Sequence, residues 1–149
     1  QGQVEQLVQQ LQNGGEYVIR ILSASNYILG ENEVRVFADV VPNQKILEQG
    51  EKIATVSVDF RNISQENIQK RLDLLLSAAQ FRARRLGILG AIQIEDGNLK
   101  KVVDFIEKIN TSEEPIDELQ VVAAETAYTA GPLKLRLIAL RNGEIMFTT

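Results

Sequence analysis

A single long helix, predicted from about Ser64 to Leu86, limits what this chain can fold into. Its main apolar stripe repeats about every 3.6 residues, and a second stripe on the opposite side contains Leu74, Ala78 and Phe81. A helix that is apolar on two sides packs between layers or contacts another subunit. We therefore expect a sheet under the main stripe and predict that the second stripe forms an interaction surface. The main stripe contains Ile68, Leu72, Leu75, Leu76, Ala79, Ala83 and Leu86.

Strand-like segments lie on both sides of this helix. Three precede it, at residues 17–22, 34–40 and 53–60, and their short connections predict an antiparallel meander. Strands are also predicted at residues 88–94 and 119–127. Between these two, a second helix is predicted at residues 99–109, with Asp96-Gly97-Asn98 as the turn and N-cap before it. Its predicted apolar face contains Leu99, Val102, Val103 and Ile106.

The C-terminal segment contains the strongest local signal in the chain. Asn142-Gly143 lies between two strand-like runs, and a type I′ hairpin turn needs positive φ at both central residues. The expected register pairs Arg141 with Glu144, Leu140 with Ile145, and Ile138 with Phe147. Together these elements predict an α+β fold with a mixed sheet of five to seven strands, two main helices and a C-terminal β-hairpin. Residues 16–149 are expected to form one domain.

Residues 1–15 are predicted to be a separate N-terminal helix. Apolar residues at helical spacing occur at Val4, Leu7, Val8 and Leu11, and Asn13-Gly14-Gly15 ends the helix. Two interpretations remain open. The helix either docks on its own domain or forms the last turns of a coiled coil that sets the oligomeric state.

The composition narrows the chemistry. The 149 residues contain no histidine and no cysteine, the side chains most used for proton transfer, nucleophilic attack and transition-metal binding. No recognisable catalytic spacing is present, so we expect a non-enzymatic protein without a cofactor or metal. The net charge of −4 argues against non-specific nucleic-acid binding. No run is long and apolar enough to span a membrane, so no membrane contact is expected from this chain itself.

The order of elements over residues 17–127 resembles the ribonuclease H-like fold. That resemblance implies a two-metal nuclease site made of carboxylates, with the first carboxylate in the middle of strand one. Residues 19–23, in strand one, contain no acid. A nuclease of this type, or its inactive relative, is therefore an alternative function. In this chain its site would lack the first metal-binding carboxylate. The acids near the other strands are Asp39, Asp59, Glu95, Asp96 and Glu125.

Arg82, Arg84 and Arg85 lie together at the end of the long helix. Cations at a helix C-terminus complement the macrodipole, which explains them without a ligand. A second alternative function is an anion- or nucleic-acid-binding module that uses these three side chains. The lack of interleaved aromatic residues, which would stack on bases, argues against nucleic acid.

Residues 20–31 (RILSASNYILGE) and 36–40 (VFADV) resemble the C-terminal globular domain of a cyanobacterial protein family of unknown function. The resemblance extends over most of residues 16–149. It implies a membrane-anchored N-terminus and a long coiled coil that precede this domain. The lack of cysteine fits a reducing compartment, so we expect a cytoplasmic location, with the tether to a membrane that the resemblance implies provided by segments outside this chain. The resemblance supplies no catalytic residue.

These observations predict an interaction or oligomerisation module of a coiled-coil protein. It would bind an unknown protein partner through Leu74, Ala78 and Phe81, and would self-associate through the N-terminal helix.

Self-association is tested by sedimentation of the purified chain. If Val4, Leu7, Val8 and Leu11 form a coiled-coil seam, we expect a mass above that of the 16.6 kDa monomer at high micromolar concentration. A strictly monomeric species at that concentration would contradict the self-association.

Overall fold

The computed structural model describes residues 17–23, 36–59 and 65–149. They belong to two compact units, residues 1–44 and 45–149. The boundary predicted between residues 15 and 16 lies outside the described residues, as do Val4, Leu7, Val8 and Leu11. In chain order the described elements are β1 (Tyr17–Ser23), β2 (Val36–Pro42), β3 (Lys45–Leu47), β4 (Lys52–Ser57), α1 (Gln65–Leu86), β5 (Ile92–Ile94), α2 (Leu99–Thr111), β6 (Glu118–Ala123), β7 (Ala127–Tyr128), β8 (Leu133–Arg141) and β9 (Glu144–Thr148).

The first unit contains an antiparallel pair, β1 and β2. Arg20 lies directly opposite Asp39, and its Nε donates a hydrogen bond to the Asp39 carboxylate at 3.0 Å. The predicted three-stranded meander is wrong, because β4 pairs with β6 instead. β4 contributes Ile53 to the core of the second unit, and Ala54 and Val56 pack against that core. The ribonuclease H-like order fails as well, because it needs strand one in the main sheet, whereas β1 pairs with β2 in a separate two-stranded sheet.

The second unit has a mixed, five-stranded sheet with β8 at its centre. One edge of β8 pairs with β6, which in turn pairs with β4, and both pairings are antiparallel. The other edge pairs first with β5 in parallel and then with β9 in antiparallel. The two helices and this sheet confirm the predicted α+β class. The remaining strands, β3 and β7, form a separate antiparallel pair.

The core lies between one face of the sheet and the helices. Alternate β8 residues from Leu133 to Ala139 are fully buried on this face. The main stripe of α1 packs here as predicted, except that Leu76 is half-buried and Leu86 is 43% exposed. The buried α1 residues are Ile68, Leu72, Leu75, Ala79 and Ala83.

The second helix begins after its predicted N-cap, because the Asn98 side chain accepts from the backbone N–H of Lys100 at 3.0 Å. Its predicted apolar face is wrong in part. Phe105 and Ile109 are buried, whereas Leu99 and Val103 are exposed. Phe105 fixes the orientation by packing edge-on against Phe147 of β9, with ring centroids 5.8 Å apart.

The hairpin forms at Asn142-Gly143, where φ is 50° and 79°. The pairs Arg141–Glu144 and Leu140–Ile145 are confirmed, but Ile138 pairs with Thr148 rather than with Phe147. A register shift between Ala139 and Leu140 causes this difference. It places Phe147 opposite Ala139, whose side chain points into the core.

Two predicted strands are shorter than expected. The segment 88–94 is a strand only from Ile92, because Gly90 lies against the backbone of Ala130 and Gly131. A Cβ atom on Gly90 would lie 2.1 Å from the carbonyl oxygen of Ala130, so no larger residue fits without a shift. The segment 119–127 is interrupted after Ala123, and Ala127 begins β7.

Leu137→Ala tests the importance of the central strand. Leu137 is fully buried in the core, so its truncation should lower the free energy of unfolding by about 2–5 kcal/mol. Urea denaturation of the whole chain measures the change. Ile145→Ala, on the neighbouring strand and 61% exposed, is the matched control and should cost less than about 0.5 kcal/mol. Equal effects of the two substitutions would contradict this description of the core.

Candidate interaction surface

The outer side of α1 exposes the second stripe that the sequence predicted. Leu74 is 58% exposed, Phe81 is 66% exposed, and Ala78 between them is also exposed. We call these three residues the α1 seam. Their spacings of four and three residues match the a and d positions of a helix that pairs with another helix. The stripe is narrow, since the remaining exposed positions around it are polar or charged.

Arg85 lies over the ring of Phe81, with its guanidinium carbon 5.9 Å from the ring centroid. This distance allows a cation–π attraction, which holds a positive charge beside the seam. Arg71 lies seven residues before Ala78 and Arg85 seven residues after it, so each is two helical turns away on the same side. The exposed seam therefore has an arginine at each end.

The other two predicted anion-binding arginines bind backbone carbonyls. Arg82 donates to the carbonyl of Ile53 at 3.0 Å. Arg84 donates to the carbonyls of Ile88 and Gly90, at 2.9 and 2.7 Å. These bonds attach the C-terminal end of α1 to β4 and to the following loop. Sequence reasoning missed this role because the acceptors are backbone atoms, which leave no signal in the sequence.

A groove of about 280 Å³ opens between α1, α2 and β5. The described residues around it have no charged side chain. Of its three carboxamides, the fold itself uses two: Asn98 caps α2, and Gln93 donates to the carbonyl of Glu95 at 3.4 Å. No pattern in the sequence predicts this groove. Its lining includes Leu76, Gln80, Gln93, Asn98, Leu99 and Val102.

The acids considered as nuclease ligands do not form a metal site. Among residues 17–23, 36–59 and 65–149, no group of three or more carboxylates is placed to hold a metal ion. Asp39 pairs with Arg20, whose hydrogen bond lowers the pKa of that carboxyl. Asp96 and Glu125 both pair with Lys134, at 3.2 and 3.6 Å. The hydrogen bond from Lys134 lowers the pKa of Asp96.

Glu95 is different because it is buried, with φ at 47°. One oxygen of its carboxylate accepts from Arg136 Nε and from the Thr149 hydroxyl, both at 2.9 Å. The hydrogen bond between Glu95 and Arg136 raises the pKa of Arg136. The geometry gives Glu95 a structural role, since it joins β8 to the residue after β9.

Residues 47–149 match the family described as the DUF3084-associated C-terminal helical hairpin. This chain belongs to that family. The matched residues contain α1 and α2, with β5 between them. The exposed seam therefore lies within the part of the chain that the family shares.

One relative is an uncharacterized protein, alr4393, of Nostoc sp. (strain PCC 7120 / SAG 25.82 / UTEX 2576). It is 44% identical over 146 residues, which are 98% of this chain and 28% of the relative. The predicted likeness to cyanobacterial proteins of unknown function is thus confirmed. No solved structure matches the chain. No helix in the described part of the chain is long and apolar enough to cross a membrane.

Arg136→Met tests the buried polar contact. The substitution keeps an apolar stem but removes the guanidinium. Of its two hydrogen-bond donors, Arg136 and Thr149, Glu95 then retains only the Thr149 hydroxyl. We expect a loss of about 1–3 kcal/mol in the free energy of unfolding, measured in urea. Arg141→Met is the control, because Arg141 pairs with the exposed Glu114. If Arg136→Met costs no more than this control, Glu95 does not depend on Arg136.

Proposed function

We propose that this protein is a non-enzymatic interaction module and that the α1 seam is its contact surface. The observation that carries the proposal is the exposure of Leu74 and Phe81 one heptad apart, on a helix whose other side is packed on the sheet. Burial of each side chain by a partner would contribute roughly 1.5–3 kcal/mol. Two such residues around a small one, Ala78, fit the centre of a helical contact, where a few residues carry most of the binding energy.

The stability of the fold does not explain the seam. The main stripe of α1 already buries five residues in the core, and the helix needs no second apolar side to pack there. Single exposed apolar residues are common on protein surfaces. Here, however, Leu74, Ala78 and Phe81 are aligned along one line of the helix, which is the arrangement that a docking helix requires.

The proposal extends to the whole protein. We propose that a coiled coil precedes this domain and is anchored in a membrane, as the family resemblance implies. The chain spans 28% of its relative, which leaves room for such segments. The N-terminal residues Val4, Leu7, Val8 and Leu11 would then continue the coiled coil and set the oligomeric state. Sedimentation of the purified chain tests that part of the proposal.

The absence of cysteine provides a direct test of the seam. Ala78→Cys places one thiol at its centre, and its alkylation rate reports whether the surface is covered. We expect the rate to be at least tenfold lower in the whole protein, in a fresh extract of the cells that make it, than in the purified chain. Mass spectrometry of the labelled peptide measures both rates.

Lys108→Cys provides the matched control, because Lys108 is exposed on α2 and belongs to no apolar stripe. Its alkylation should be equally fast in both samples. Equal rates at position 78 in extract and purified chain would show an uncovered seam and would overturn the proposed function.

A further inference from the structure

The charges around the seam indicate what kind of partner it takes. By sequence, α1 carries five Lys or Arg and two Asp or Glu, a formal charge of +3. The remainder of the chain carries eleven Lys or Arg and eighteen Asp or Glu, a formal charge of −7. Positive charge is thus concentrated on α1, the helix that carries the seam. The exposed cations of α1 are Lys70, Arg71, Arg82, Arg84 and Arg85.

Three of these five cations project from the side of the helix where the seam lies. Arg71, Arg82 and Arg85 are seven, four and seven residues from Ala78, so they project within roughly 40° of it. Asp73 is five residues from Ala78 and projects roughly 140° away. A partner bound on the seam would therefore lie closer to these three cations than to Asp73. A second copy of α1 would bring the same cations and be repelled.

We infer that the occupant of the α1 seam is an acidic amphipathic helix, and this inference rests on the proposed function. Its apolar residues would pack on Leu74, Ala78 and Phe81. Its carboxylates would lie beside Arg71 and Arg85, at the two ends of the seam. Arg82 and Arg84 donate to backbone carbonyls but keep their charge, so they contribute to the positive field without a direct contact.

A protein helix fits this surface better than an anionic lipid surface. Helices that lie on membranes bury a broad apolar face, whereas a stripe with only a and d positions is the narrower seam of a helix pair. The α1 seam has two large apolar side chains one heptad apart, and Arg85 covers one face of the Phe81 ring. The narrow stripe matches the width of a single helix.

Charge reversal in the Ala78→Cys background tests the inference. In cell extract, the whole protein with R71E/R85E should lose its protection and react at a rate within about threefold of the purified chain. The conservative variant R71K/R85K should stay protected. The control K100E/K108E reverses two exposed cations on α2 and should also stay protected. Circular dichroism of each purified variant checks that the fold is intact.

The outcomes separate the inference from the proposed function. If the Ala78→Cys protein that keeps Arg71 and Arg85 is alkylated at position 78 as fast in extract as in the purified chain, the proposed function fails. If protection is present and R71E/R85E keeps it, the seam is covered but the inference is overturned.

Two further measurements test the chemical class of the occupant. A photoreactive benzoylphenylalanine at Phe81 should crosslink to a peptide with more Asp and Glu than Lys and Arg, and with apolar residues at helical spacing. A crosslinked peptide with net positive charge would overturn the inference. Phosphatidylglycerol vesicles added to the purified Ala78→Cys chain should slow alkylation less than twofold. Tenfold protection by vesicles would assign the seam to lipid and would also overturn the inference.

Discussion

The second unit depends on one edge of β8, where two different strands pair with successive parts of the same strand. β5 pairs with its first part and β9 with its last part. β5 and β9 are both short, and they approach each other beside the middle of β8. The hydrogen bonds continue across this junction, because Glu95 N donates to Leu135 O at 2.8 Å and Thr149 N donates to Leu137 O at 3.0 Å. The carboxylate of Glu95 then joins Arg136 to Thr149. This contact lies beside Leu135 and Leu137, the inward residues of β8 that belong to the core under α1.

Local patterns predicted the local elements well, for identifiable reasons. The main stripe of α1, the Asn98 cap and the Asn142-Gly143 turn each depend on residues within a few positions of one another. Strand pairing depends on distant residues. The sequence near β4 contains nothing that selects β6, which follows about sixty residues later, over its predecessor β2. The predicted apolar face of α2 is wrong in part for a similar reason, since Phe105 is oriented by Phe147 from the last strand.

At the candidate surface too, features set by nearby residues could be predicted and features set by distant residues could not. The exposure of Leu74 and Phe81 followed from helical period, because one face of α1 was already assigned to the core. The roles of Arg82 and Arg84 could not be predicted in this way. Their acceptors are the carbonyls of Ile53, Ile88 and Gly90, which approach the arginines only after α1 has packed on the sheet. The arginines that looked alike in sequence thus divide into two that attach the helix and one that remains beside the seam.

The arginine border of α1 gives the surface a constant electrical character. Guanidinium groups stay protonated at any pH at which a protein is folded. With no imidazole or thiol in the chain, no side chain with an ordinary pKa titrates between the carboxylates and the tyrosines or lysines. This side of a contact would therefore ignore acidification near neutrality and respond instead to ionic strength, since dissolved ions screen exposed charges. The strength of a contact at this surface would thus depend on the salt concentration far more than on the pH.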